Sequence, residues 1–151
     1  MRFIFVILAF YSTASAACPN FYGKWKSSAN QTLEYTQKLP GVEPDVLFNL
    51  EQTAGTTSIE ISKNSITFSA PNTSVTFHGK QYNLPARSAA ATYKLLECTK
   101  EVAVIKYYYH GQKYVTRLHF PSKDTLWFYI CLDLSKIYSH TREYYVRIKA
   151  E

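Results

Sequence analysis

From residue 56 to residue 148 the chain is a succession of short alternating segments separated by turn residues, and that pattern leaves few folds open. Ser58-Ile59-Glu60-Ile61-Ser62 alternates apolar and polar side chains, as a strand with one buried face does. Lys63-Asn64 turns it into Ser65-Ile66-Thr67-Phe68. Pro71-Asn72 leads to Ser74-Val75-Thr76-Phe77, and His78-Gly79-Lys80 to Gln81-Tyr82-Asn83-Leu84. Residues 92–98, 102–109, 113–120, 125–132 and 141–148 complete the series, with His110-Gly111-Gln112 and Ser122-Lys123-Asp124 as tight turns. Consecutive strands joined by short turns make an antiparallel meander, and closing it removes the exposed edges. The expected fold is all-β: a ten-stranded antiparallel up-and-down barrel, rich in the aromatics (13 Tyr, 9 Phe) that suit strands.

One segment breaks the alternation. Across residues 30–53 the apolar side chains fall at helical spacing. Asn30 can cap a first helix carrying Leu33, Tyr35 and Leu39, which Pro40-Gly41 ends. A second begins near Pro44-Asp45, proline being tolerated in a first turn, and carries Val46, Leu47 and Leu50, with Gly55 just past its end. Two helices between the first and second strands of a barrel are placed to act as a helix-turn-helix lid.

Residues 1–16 read as a signal peptide: Arg2, an apolar run from Phe3 to Phe10, then Ala14-Ser15-Ala16 before Ala17. The run is short for a bilayer span and no later segment qualifies, so residues 17–151 are expected to form one exported, monomeric domain without stable membrane insertion. Acylation of Cys18 is the second reading of that start. Three cysteines, Cys18, Cys98 and Cys131, permit one disulfide, and sequence leaves all three pairings open. The net charge of +6 is spread among acidic residues without a basic run, which argues against nucleic acid as a partner. Asn30-Gln31-Thr32 and Asn72-Thr73-Ser74 are glycosylation sequons, meaningful in a cell that glycosylates its exports.

Catalytic patterns are lacking. His78, His110, His119 and His140 show no metal-ligand spacing, and there is no Cys-x-x-Cys pair, G-x-S-x-G or glycine-rich phosphate loop. No enzyme activity, cofactor or metal is expected. His119 points inward if it shares a face with Val115 and Arg117, but Leu118 and Phe120 compete for that face. In Tyr107-Tyr108-Tyr109 and Trp127-Phe128-Tyr129 neighbours alternate in and out, so these runs read as core and cavity lining, with Trp127 and Tyr129, if outward, as candidates for a partner surface.

The last strand carries the functional reading. Arg142, Tyr144, Val146 and Ile148 share one face; Glu143, Tyr145, Arg147 and Lys149 share the other, which reads as solvent-facing. Arg142 and Tyr144 are therefore expected to point into the barrel, where an unpaired cation is costly unless an anion meets it. A ligand carboxylate can be that anion.

These elements resemble, in order, the intracellular lipid-binding family of fatty-acid- and retinoid-binding proteins. Phe21-Tyr22-Gly23-Lys24-Trp25-Lys26 is similar to its F-x-G-x-W-K start, and Leu33-Glu34-Tyr35 with Leu39-Pro40-Gly41-Val42 to its first helix and following turn. The strand–turn–strand through His110-Gly111 and the terminal Thr141-Arg142-Glu143-Tyr144 resemble its later elements. The resemblance implies one long-chain fatty acid or similar acidic lipid in the cavity, its carboxylate held by Arg117, Arg142 and Tyr144. Three features depart from it: the leader, which secreted nematode members share; a longer connection over residues 133–140; and acidic residues, Glu43, Asp45 and Glu51, around the second helix. Two other readings stand beside it. One is a lipocalin-type carrier of another small hydrophobic ligand, since G-x-W occurs there too. The other is an exported, inhibitor-like barrel that binds a protein and holds no ligand.

Overall fold

A computed structural model describes residues 18–130 and 140–149. The leader expected over residues 1–16, Cys131 and most of the connection after it lie outside the described residues. The chain runs β1 (Gly23–Ser27), α1 (Ala29–Gln37), α2 (Pro44–Thr53), β2 (Ser58–Ile61), β3 (Ser65–Ala70), β4 (Thr73–Phe77), β5 (Lys80–Leu84), β6 (Arg87–Cys98), β7 (Val102–Tyr109), β8 (Gln112–Ser122), β9 (Thr125–Tyr129) and β10 (Arg142–Arg147).

The all-β antiparallel barrel expected from the alternation is present, but eight strands close it rather than ten. Their order is β1-β10-β9-β8-β7-β6-β3-β2, and β4 and β5 form a separate hairpin. Two prolines explain the exclusion. Pro71 and Pro85 flank the hairpin on either side, and a residue without an N–H cannot carry a central ladder onward. β3 therefore pairs directly with β6, from Ser65↔Thr92 to Ala70↔Arg87. At the base of the extruded hairpin the Ala86 N–H donates to Asn72 Oδ1 at 2.5 Å. Its other attachment is to α2: Gln52 Nε2 donates to the Thr76 carbonyl (3.1 Å), and the Thr76 N–H donates to Gln52 Oε1 (2.5 Å).

The tight turns are as read. His78-Gly79 and His110-Gly111 both have positive φ at each position (48° and 74°; 48° and 76°), the two-residue geometry whose twist matches the flanking strands. The second fixes the β7–β8 register from Tyr109↔Gln112 to Val102↔His119.

Both helices form where the spacing placed them. Pro44 opens α2 as expected, whereas α1 begins two residues earlier than the Asn30 cap implied, with Ser28 at its N-cap. The buried residues of α1 are polar, Thr32 and Thr36, each fully buried. They are buried because α1 stands beside β10 where β1 has left the sheet. The Ser28 N–H donates to the Tyr144 carbonyl at 2.7 Å, and the Tyr144 N–H donates to Thr32 Oγ1 at 3.1 Å. The helix start thus takes over the ladder that β1 vacates, leaving neither backbone group of Tyr144 unpaired.

Among the described residues no helix is long and apolar enough to cross a membrane. Cys18 pairs with Cys98, closing a loop of 80 residues and fastening the N-terminal segment to the end of β6.

The core occupies one end of the barrel. Phe21, Trp25, Ile61, Ile66, Ala103, Leu118, Phe120 and Leu126 fill it, all less than a tenth exposed. Arg147 lies over this end: its guanidinium carbon is 4.1 Å from the Trp25 ring centroid, Nη1 and Nη2 donate to the carbonyls of Tyr22 (2.6 Å) and Asn20 (2.5 Å), and Nε to that of Lys123 (3.2 Å). Gly23, with φ of 128°, lies under the same guanidinium; an added Cβ there would stand 3.1 Å from Nη1.

Candidate functional site

The face of β10 turned into the barrel is the opposite of the one expected. Tyr145 is 2% exposed, while Val146 and Ile148 are 38% and 47% exposed. Tyr145 pairs with Ser27 on one side and Leu126 on the other, both buried, so its face is the interior one. By alternation Glu143 and Arg147 point inward with it, and Arg142 and Tyr144 outward. Arg117 is exposed as well, because its neighbours Thr116 and Leu118 take the buried face of β8. The inward placement expected for Arg117, Arg142 and Tyr144 is thus corrected. The physical reason is that Arg147, not Arg142, is the arginine with carbonyls to receive it at the inner face.

Arg142 has a different environment. Its guanidinium carbon sits 3.8 Å from the Trp127 ring and 4.3 Å from that of Tyr35, and Nη1 reaches the Tyr144 hydroxyl at 3.5 Å. His119 stacks on Trp127 with centroids 3.8 Å apart, and burial, reinforced by the Arg142 and Arg117 charges, depresses its pKa. This settles the competing registers of β8: Leu118 and Phe120 go inward and His119 outward. Arg142 and Tyr144 are brought together, as expected, but between α1 and the outer wall; no contact joins Arg117 to them among the described residues.

Next to the filled core, whose cluster reaches Tyr145 and is packed by Phe68, Tyr107 and Phe128, lies a half-open chamber of about 430 Å³. Phe68, Tyr107, Tyr109, Tyr114, Phe128 and Tyr145 contribute its aromatic lining, with Ala89, Thr57, Glu143 and, at its rim, the exposed Arg87. Tyr107 stacks on Tyr114 (5.5 Å) across the strand pair that the His110-Gly111 turn sets in register, and Phe128 stacks on Tyr145 (5.4 Å). The expected alternation of Tyr107-Tyr108-Tyr109 holds: Tyr108 is 59% exposed and its two neighbours line the chamber.

Glu143 is the organised charge on this wall. Ser27 Oγ and Thr57 Oγ1 both donate to its Oε1, at 2.9 and 2.7 Å. The Gly55 N–H donates to Ser27 Oγ at 3.0 Å, so the end of α2 is tied into the same network. With the Thr57 proton committed to Glu143, the Tyr145 hydroxyl is the donor in its 3.1 Å bond to Thr57 Oγ1. Burial, and then the nearby Glu143 carboxylate, push the Tyr145 phenol well above its ordinary value, so it stays protonated. Burial likewise raises Tyr107.

Sequence reasoning missed Glu143, Ser27 and Thr57 because hydroxyls at a strand end and before a strand carry no periodic signal. Tyr107 and Tyr114 were within reach: a two-residue turn at His110-Gly111 places them opposite each other on one face. Comparison with protein-family models, curated proteins and solved structures finds no match for this chain.

Proposed function

We propose that this protein is an exported carrier of a small hydrophobic molecule held in the aromatic chamber. The observation that carries the reading is the half-hollow barrel: one end is filled by Trp25 and its neighbours, while the other holds a half-open cavity of about 430 Å³ lined by six aromatic residues. An eight-stranded barrel is the size that can hold one small ligand, and this volume falls in the usual range for small-molecule sites, roughly 300–1,000 Å³. Of the readings open at the level of sequence, the lipocalin-type carrier is therefore favoured. Export is supported by the residue 1–16 pattern and by the Cys18–Cys98 bond, which belongs to an oxidising compartment.

A fatty acid remains the second reading, favoured by one observation: Arg87 is on the rim of the chamber and could meet a carboxylate there.

Titration calorimetry with decanol tests the carrier reading without regard to charge. Saturable one-to-one binding with a negative heat-capacity change is expected. Ala89→Trp, which fills the chamber from β6, should abolish it while leaving the β spectrum unchanged. Absence of binding to the wild-type chain, or equal binding to the filled variant, would overturn the reading.

A further inference from the structure

The chamber has an electrostatic sign. Glu143 is half-buried on its wall, and the groups that hold its Oε1, the Ser27 and Thr57 hydroxyls, are neutral. Its other oxygen, Oε2, has no hydrogen bond among the described residues, and no cationic side chain there forms an ion pair with it. The nearby cations are directed elsewhere. Arg142 is on the outer face against Tyr35 and Trp127, the Lys26 ammonium donates to the Thr56 carbonyl (2.9 Å), and Arg147 is spent on the closed end. Arg87 is the one cation among the lining residues, and it is exposed at the start of β6.

A carboxylate in a partly desolvated aromatic chamber is unfavourable unless a positive charge meets it. The aromatic lining favours the same sign, because the faces of Phe and Tyr rings attract cations. The phenols add no negative charge, since Tyr107 and Tyr145 are both shifted upward.

We propose that the carrier selects ligands in which a protonated amine is attached to an apolar body, with the ammonium donating to Glu143 Oε2 and the body lying among Phe68, Tyr107, Phe128 and Tyr145. This rests on the carrier reading above and adds the ligand's charge to it. Ser27 and Thr57 act as positioning residues, fixing one carboxylate oxygen so that the other is presented to the ligand. The link from Gly55 to Ser27 couples that presentation to the end of α2.

The test is calorimetric titration of the full chain with decylamine, decanol and decanoate at neutral pH, repeated with Glu143→Gln. The amide keeps an acceptor for Ser27 and Thr57 but loses the charge. Wild type should bind the amine about tenfold or more tighter than the alcohol, and the acid weakest. In Glu143→Gln the amine should lose its advantage over the alcohol. Equal binding of amine and alcohol by wild type, or a preference for the acid, would overturn the proposal while leaving the carrier reading intact. So would an amine preference that survives in Glu143→Gln. Binding of none of the three would instead remove the carrier reading, and this proposal with it. Should Glu143→Gln not fold, the wild-type ranking decides alone.

Discussion

The two ends of the barrel treat charge in opposite ways, although one strand serves both. At the filled end β10 contributes Arg147, whose guanidinium lies over Trp25 and meets three backbone carbonyls. At the hollow end the same inner face contributes Glu143, met by two hydroxyls and open volume. The cation has each of its three nitrogens on a carbonyl, with Asp124 3.7 Å from Nε, and closes a wall; the anion has one oxygen held and faces space. A charge tied to backbone carbonyls and to a neighbouring carboxylate is structural, and one held by neutral hydroxyls beside open volume is available for binding.

The contrast can be broken most forcefully at the filled end. Trp25→Ala should destabilise the fold by about 3–5 kcal/mol, because it empties a fully buried site and removes the surface on which Arg147 lies. Urea unfolding measures it, and a loss below about 1 kcal/mol would mean this end is not the core. Removing the Cys18–Cys98 bond by a double alanine substitution should cost about 2–4 kcal/mol, the range for closing a long loop, read from the same unfolding curves. Arg147→Met should follow at about 1.5–3 kcal/mol, since three carbonyls lose a charged donor. None of these changes touches a chamber-lining group, so the fraction that remains folded should still bind decanol.

The smallest effects are expected on the outer face. Arg117→Gln should change stability by no more than about 0.5 kcal/mol, and Arg142→Gln by about 0.5–1 kcal/mol through its lost contacts with Tyr35 and Trp127. Neither should alter affinity for decanoate or decanol by more than about twofold, the noise of a 0.4 kcal/mol difference. A selective loss of decanoate binding in either variant would return the carboxylate anchor to these arginines and sharpen the map against the register of β10.

Much of the architecture was legible because it rests on local rules. Alternation gave the strands, His-Gly and Ser-Lys-Asp chemistry gave the turns, and Pro44 and Gly55 bracket the second helix where helical spacing begins and ends. Two things were not legible. The β4–β5 hairpin alternates like any barrel strand, and only its flanking prolines hint that β3 and β6 pair past it. The inner face of β10 was misread because apolar count favours Arg142, Tyr144, Val146 and Ile148. What decides it is non-local: buried partners at Ser27 and Leu126, and the carbonyls of Asn20 and Tyr22 waiting for Arg147. A strand's period says which residues share a face, never which face is inside.

The central claim is that the hollow end, and not the cluster of Arg142 and Tyr144 between α1 and the outer wall, is where a ligand sits. Isotope-filtered NOE spectroscopy of the protein with bound decanol tests it most directly. The account predicts contacts from the alkyl chain to the ring protons of Phe68, Tyr107, Phe128 and Tyr145. Contacts confined to Tyr35, Trp127 and Tyr144 would contradict it.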